Sequence, residues 1–228
     1  MSGTAPTAGT LPGGLVALPR VYRPQADTRL LAAALAHEEV GPRTDVLEIG
    51  TGTGALALHA ARRGARVTAV DVSWPAVATA RLNALVHRLP LRVLHGDFAA
   101  RTKGRRFDVV LTNPPYVPAP GVRSPLRGAE RAWDAGPDGR LVIDRVCAAA
   151  SALLRPGGVL LMVHSGMCGV ETTVDRLSGE GLSAGVAARA SVPWGPVLRS
   201  RRTWLERQGL AGEDEQWEEL VVIRARNP

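Results

Sequence analysis

The 228-residue chain is 45% hydrophobic, yet no stretch reaches the roughly 18 continuous apolar residues that a membrane helix needs. Its first residues, MSGTAPTAGTLPGG, lack a charged segment followed by an apolar core, so no secretory signal is expected and the cytoplasm is the expected location. Cysteine is scarce. Cys147 and Cys168 are far apart and form neither a CxxC pair nor a Cys/His spacing suited to a metal, so both read as core thiols and no metal site is expected. Acidic residues are outnumbered: the net charge is +7 and the pI is near 10.8. Basic side chains can neutralise phosphates, but here they are mostly scattered arginines. The one dense cluster, RTKGRR at 101–106, falls where a solvated surface loop is expected. Nucleic acid is therefore not the expected partner, although charge alone leaves it open.

What is present is a regular alternation. Residues 1–20, rich in Gly, Pro, Thr and Ala, read as a flexible tail, and 21–228 as a single domain. Asp27 or Thr28 can cap a first helix carrying Leu30, Leu31, Ala34 and Leu35 on one face. Strands follow at 44–50, 65–72, in LRVLHGD, in FDVVLTN and in VLLMVHS. Between them the pattern predicts helices at 54–64, 74–88 (with a proline in the first turn) and 141–158, the last closed by Pro-Gly-Gly. Such βαβ alternation implies a parallel sheet covered on both faces. After a helix near 170–179, SAGVAARASV and EELVVIRAR read as an appended hairpin with an irregular arm between its strands.

Chemistry concentrates at the strand ends. In EIGTGTG, Gly50, Gly52 and Gly54 let the backbone turn sharply and let a ligand approach without a Cβ in the way. The spacing differs from the GxGxxG of dinucleotide folds and, with Glu48 before it, suits a ligand that brings an ammonium group and no phosphate. Asp71, ending the second strand, can accept hydrogen bonds from both ribose hydroxyls. Asp97 can meet an adenine amino group, with Phe98 beside the ring. Singly, each aspartate is an ordinary turn residue; in this order they describe an adenosine-binding crevice. LTNPPY closes the fourth strand. Asn-Pro there could be a plain turn, but on this side of the sheet the turn also faces the crevice.

EIGTGTG, Asp71, Asp97 and NPPY together resemble the class I S-adenosylmethionine-dependent methyltransferases, and NPPY the branch that methylates planar exocyclic nitrogens. The implied fold is a Rossmann-like seven-stranded α/β sheet, mostly parallel with a C-terminal antiparallel hairpin. Within that branch the chain is similar to the HemK-like protein glutamine methyltransferases, which modify the GGQ glutamine of peptide-chain release factors. WDAGPDGRLVIDRV resembles the family's segment after NPPY, with Ala135 where a glycine is usual. VYRPQADTRLL resembles the short archaeal and eukaryotic branch, which works with a small zinc-binding activator protein.

For the cofactor, with S-adenosylhomocysteine as product, the resemblance implies contacts from Tyr22, Asp27 and Thr28 over the methionine end. It adds Glu48, Gly50, Thr51, Gly52, Thr53 and Gly54 in the loop, then Asp71 and Val72, Asp97 and Phe98, and Asn113. For catalysis it implies Asn113, Pro114, Pro115 and Tyr116. The Asn113 side-chain oxygen and the Pro114 carbonyl accept the two N–H bonds of the target, on a platform that the prolines make rigid, and Tyr116 packs on the planar group. An amide nitrogen is a weak nucleophile because its lone pair is delocalised, so alignment is the expected contribution and no dedicated base is called for. His164 and Met162 read as core or strand-end residues. Trp194 and Trp204 with the arginines between them read as a partly buried segment or a substrate-facing flap. Adenine in nucleic acid, a small-molecule amine or another protein amine is the alternative acceptor. A cofactor-binding protein without activity is a third reading, against which the intact NPPY stands.

Overall fold

The computed structural model describes residues 10–121, 128 and 130–228. Seven strands form one sheet in the order β3-β2-β1-β4-β5-β7-β6. They are β1 Asp45–Ile49, β2 Arg66–Asp71, β3 Leu91–His95, β4 Phe107–Thr112, β5 Leu154–Ser165, β6 Ser183–Pro193 and β7 Trp217–Arg226. The first five run parallel; β7 lies antiparallel between β5 and β6. The helices are α1 Ala26–Ala36, α2 Ala55–Arg62, α3 Trp74–Val86, α4 Phe98–Arg101, α5 Leu141–Leu153, α6 Val170–Gly179, α7 Pro196–Ser200 and α8 Arg202–Arg207. Among the described residues no helix is long and apolar enough to cross a membrane.

The period-two geometry of strands divides one apolar run between two cores. Leu47, Val110, Leu160 and Ile223 point into the layer shared with Ile143 and Val146 of α5. Their neighbours Val46, Val109, Leu161 and Val222 point into the opposite layer, with Leu31 and Leu35 of α1 and Leu56 of α2. Because both faces are buried, the central strands read as nearly continuous apolar runs. Each fully buried leucine or valine stabilises the fold by about 1.5–3 kcal/mol.

The structure departs from the sequence reading in four places. Leu154–Ser165 is one strand, so Pro156, Gly157 and Gly158 lie inside β5 instead of closing α5, with an irregularity in its pairing between Phe107 and Val109. Gly158 is required there, since a Cβ would stand 2.9 Å from the carbonyl oxygens of Arg155 and Phe107. The N-cap of α1 is Gln25, without a side-chain bond; Asp27 and Thr28 lie in the first turn and are buried. The arm between β6 and β7 holds two short helices, α7 and α8, built around a small core of Trp194, Leu198 and Leu205.

The fourth concerns the tail. Residues 1–9 lie outside the described residues, but the stretch from Thr10 is anchored. The Asn83 side chain, fully buried in α3, accepts from the Val16 amide at 2.9 Å and donates to the Val16 carbonyl at 2.8 Å. The His59 ring meets the Thr10 carbonyl at 3.2 Å, and Leu11 packs against the core beneath α1 and α2. The RTKGRR stretch is likewise tied down in part: Arg105 lies over the Phe107 ring and Arg106 donates to the Leu154 carbonyl at 3.0 Å.

Candidate active site at the carboxyl ends of the strands

The turn after β1 is built from backbone that only glycine adopts readily. Gly50, Gly52 and Gly54 have φ of +73°, +53° and +80°. A Cβ on Gly54 would stand 3.2 Å from that of Ala80, so α3 can approach the loop only at a glycine. Asn83 holds the same loop by donating to the Thr53 carbonyl at 2.9 Å. The Tyr22 carbonyl closes the loop from outside, 3.7 Å from where a Gly52 Cβ would be. Thr51 and Thr53 are buried within it.

Glu48 is 2% exposed; its Oε2 accepts from the Thr51 hydroxyl and from the Ala57 amide at 3.1 Å, clasping the loop to the start of α2. Burial pushes its carboxyl up to about 8, against the opposing pull of those two donors. The groups that act on it, Thr51, Ala57 and the Asp71 carboxylate, include no cation, and an amino-acid ammonium is the group that would offset its charge. Asp71 uses one oxygen for the Gly52 amide at 3.0 Å and the other for the Ser73 amide at 2.8 Å. Burial raises this carboxyl while the two amides oppose the rise. Each oxygen keeps a free lone-pair direction, which matches a vicinal diol. The residues present thus fit an amino acid joined to a ribose. Val72 is exposed beside Asp71, and Trp74, 60% exposed, stacks on His95 with ring centroids 4.1 Å apart.

Asp97 is more heavily committed than the sequence suggests. Its Oδ1 caps α4 by accepting from the Ala99 and Ala100 amides at 3.1 and 3.3 Å, and its Oδ2 pairs with Arg145 at 2.5 Å. Partial burial would raise this carboxyl, but Arg145 and the two amides hold it below the usual range. Phe98 is buried, with the Arg145 guanidinium 5.4 Å over its ring.

NPPY follows β4 directly. The Thr112 hydroxyl donates to the Ile49 carbonyl at 3.1 Å, tying the end of β4 to the strand that feeds the glycine loop. A Cβ on Gly50 would lie 3.9 Å from the Asn113 carbonyl. The Asn113 side chain is partly exposed, and among the described residues none hydrogen-bonds to it. Tyr116 is buried; its hydroxyl and that of Tyr22 both donate to Asp27 Oδ2, at 3.2 and 2.7 Å. Asp27 Oδ1 accepts from the Thr28 amide and hydroxyl at 2.5 and 3.0 Å. Burial, then the nearby Asp27, pushes both phenols well above their ordinary value.

The AGPDG segment is the buttress behind NPPY. Val117 donates to the Trp133 carbonyl at 2.7 Å, Ala135 to the Val117 carbonyl at 3.1 Å, and Ala119 to the Gly136 carbonyl at 2.8 Å. Gly136 and Gly139 have φ of +82° and +73°, whereas Ala135 is not among the positive-φ residues, so its methyl group costs the backbone nothing. Gly139 packs so closely that a Cβ would fall 2.8 Å from Cys168 Sγ and closer still to the Tyr116 carbonyl. Arg140, buried, donates to the Cys168 and Gly169 carbonyls and the Thr173 hydroxyl, and pairs with Asp144 at 2.8 Å. Burial pushes the thiols of Cys147 and Cys168 up to about 11 and 12, as expected of core thiols. His164 is fully buried and pushed down to about 4 by burial, and Met162 is buried with it.

Sequence reasoning missed two contributors, Asn83 and Glu218, and left the part of a third, Arg201, open between a partly buried segment and a flap. Asn83 looks like a helix-surface residue until its partners are known. Arg201 of the arm donates to the Pro118 carbonyl at 2.9 Å and pairs with Asp134 at 2.6 Å, docking the arm on the segment after NPPY. Glu218 sits near the start of β7, 7% exposed, and burial pushes it up to about 7 while Ser165 pulls the other way. Its signal was strand alternation at the start of β7, where Glu218 and Leu220 are buried while Trp217 and Glu219 are exposed, but it was hidden in the acidic run GEDEQWEE.

Residues 21–126 match the family described as the methyltransferase small domain. The chain is 33% identical over 181 residues to a Methanocaldococcus jannaschii protein described as a protein N5-glutamine methyltransferase, covering 79% of this chain and 90% of that one. It is 38% identical over 154 residues to the release factor glutamine methyltransferase of Moorella thermoacetica, covering 63% of this chain but only 54% of that longer protein. Among solved structures, the E. cuniculi Mtq2-Trm112 complex, responsible for methylation of the eRF1 translation termination factor, superposes with a TM-score of 0.63. That match is 21% identical and covers 92% of this chain and 99% of the other.

Proposed function

The chain belongs to the protein N5-glutamine methyltransferases, S-adenosylmethionine-dependent N-methyltransferases, and we propose that its acceptor is the GGQ glutamine of a peptide-chain release factor. When bound, S-adenosylmethionine supplies an electrophilic methyl group on a sulfonium centre and leaves as S-adenosylhomocysteine. The chain's own residues then have two tasks. The cofactor half holds: Gly50–Gly54 with Thr51 and Thr53 floor the pocket, Glu48 offsets the ammonium, Asp71 and Val72 take the ribose, and Tyr22, Asp27 and Thr28 cover the methionine end. Asp97 and Phe98 border the adenine, Asp97 through whatever capacity its cap and ion pair leave. The acceptor half aligns, and the observation that carries the reading is the Asn113 side-chain amide, without a protein partner among the described residues, on a residue whose backbone carbonyl lies beside the glycine loop. Its oxygen and the Pro114 carbonyl take the two N–H bonds of a primary amide, Pro115 keeps the turn rigid, and Tyr116 stacks on the amide plane. Alignment of this kind lowers barriers by roughly 7–11 kcal/mol in favourable cases.

The test is incubation with labelled cofactor and a release factor, repeated with the GGQ glutamine changed to alanine. Label on the first factor alone supports the assignment; equal label on both, or on neither, rejects it. Label on an oligonucleotide in place of the factor would give the site to adenine N6, which shares the planar two-hydrogen geometry.

A small zinc-binding activator is part of the same proposal. Its support is the partnered E. cuniculi neighbour and an apolar strip on α3, where Leu85 and Val86 are 76% and 55% exposed beside β3, the terminal strand of the sheet. Leu85→Glu should abolish co-purification of such a partner while leaving cofactor binding intact. The cytoplasm, where release factors act, is the proposed location.

A further inference from the structure

One buried ionisable group beside the acceptor platform has no task in the scheme above. Glu218 pairs with Val192 on β6, and two residues on Leu220 pairs with Ser165, the last residue of β5. It therefore lies at the end of the sheet where α/β folds bind their ligands. Asp27, Tyr22, Tyr116, Ser165 and Cys168 face it from α1, the segment leading to α1, NPPY and the two sides of the turn after β5. Ser165 lies beside the carboxylate and favours its charged form, and its Oγ accepts from the Met167 amide at 3.3 Å. One carboxylate oxygen, Oε1, is buried without a hydrogen-bond partner among the described residues. A buried acceptor left unmade costs about 1–3 kcal/mol, more when charged. Asp27, by contrast, accepts four hydrogen bonds and has no capacity left. The free acceptor in this cluster is thus Glu218.

From that geometry we infer that Glu218 is the proton acceptor of the reaction, taking on Oε1 the proton that the acceptor nitrogen sheds as it gains the methyl group. The inference rests on the methyl-transfer reading. The balance is simple: the N–H bond breaks, its electron pair returns to nitrogen and to amide conjugation, and the proton forms an O–H bond on Glu218 before passing to solvent. No cation among the groups named above competes for the carboxylate. Its burial pushes the group up to about 7, where it both holds and releases a proton at neutral pH.

Two measurements test it. In the first, Glu218→Gln is compared with the wild type in methylation of the release factor across pH 5.5–9. Loss of about 10²-fold in kcat, disappearance of the acid limb and a cofactor Kd within about twofold of wild type are expected. Ser165→Ala, which removes the hydroxyl that favours the charged form, should move the acid limb to higher pH. A wild-type kcat and limb in Glu218→Gln, or an unmoved limb in Ser165→Ala, overturns the inference.

The second needs no acceptor. Calorimetry at pH 7 in buffers of different ionisation enthalpy gives the protons released on binding S-adenosylmethionine and S-adenosylhomocysteine. Both bring the same ammonium and ribose, so Glu48 and Asp71 cancel in the difference, and the sulfonium charge remains. The wild type should release up to about half a proton more with S-adenosylmethionine, since a carboxyl titrating near 7 is about half protonated there; Glu218→Gln should show no difference. If that difference is found but the release factor stays unlabelled, the acceptor assignment fails and this one stands. If the factor is labelled while both proteins show the same difference, this one fails alone.

Discussion

Gly139→Ala tests whether AGPDG positions NPPY. The added Cβ would meet Cys168 Sγ at 2.8 Å and the Tyr116 carbonyl at a shorter distance still, whereas real Cβ contacts lie at 3.0 Å or more. One wall, the Cys168 thiol, is buried and already donates to the same carbonyl at 3.2 Å, so the relief must come largely from Tyr116. That moves the last residue of the platform by somewhat under an ångström. Misplacement on this scale can cost about 10²-fold in rate. The substitution also places a non-glycine residue at φ +73°, at about 1–2 kcal/mol. Gly104→Ala separates the two effects, because Gly104 has the same φ of +73° with nothing within 4 Å of its Cβ. Both variants should melt a few degrees lower, at about 2–4 °C per kcal/mol for a domain of this size. Only Gly139→Ala should lose kcat, by about 10- to 100-fold, with cofactor affinity unchanged by calorimetry. Equal kcat in the two variants would refute the argument that the buttress sets the platform.

Asn113→Ala should leave cofactor binding within about threefold while single-turnover methylation falls by at least about 10²-fold, since only the positioning of the acceptor is lost. Asn83→Ala removes three buried hydrogen bonds, to both Val16 groups and to the Thr53 carbonyl, at about 2–4 kcal/mol in all. Limited trypsin digestion should then cut at Arg20 sooner and cofactor affinity should drop. Glu48 gives an unusual stability profile. Its folded-state value of about 8 lies above the ordinary 4.5, so the folded chain binds the extra proton and this contribution fades as pH rises from 4.5 through 8. The cofactor-free wild type should lose more thermal stability between pH 5 and 8 than Glu48→Gln does, as read by melting curves.

The parallel sheet was legible because buried strands and amphipathic helices alternate by period, and apart from the start of β5 the strand limits fall within a residue or two of those expected. The glycine loop and NPPY were legible because their residue types have few other uses at strand ends. What escaped was decided by tertiary partners. Pro156-Gly157-Gly158 reads as a helix stop, yet pairing of Leu154 with Phe107 of β4 extends the strand back through it. Asp27 reads as a cap until two tyrosines, one of them 89 residues away, claim its carboxylate. The tail from Thr10 has no periodic pattern because it is held by Asn83 and His59, not by burying a face of its own.

Arg201 of the helical arm reaches two residues that the sequence keeps far from it, the Pro118 carbonyl and the Asp134 carboxylate. In the proposed scheme the cofactor's contacts come from the first half of the chain, up to NPPY, whereas the arm belongs to the second half. Donor and acceptor sides are thus carried by different parts of the chain. Its arm can be replaced, or reshaped by a bound protein, to change which glutamine-bearing surface fits, while the methyl donor's half stays as it is.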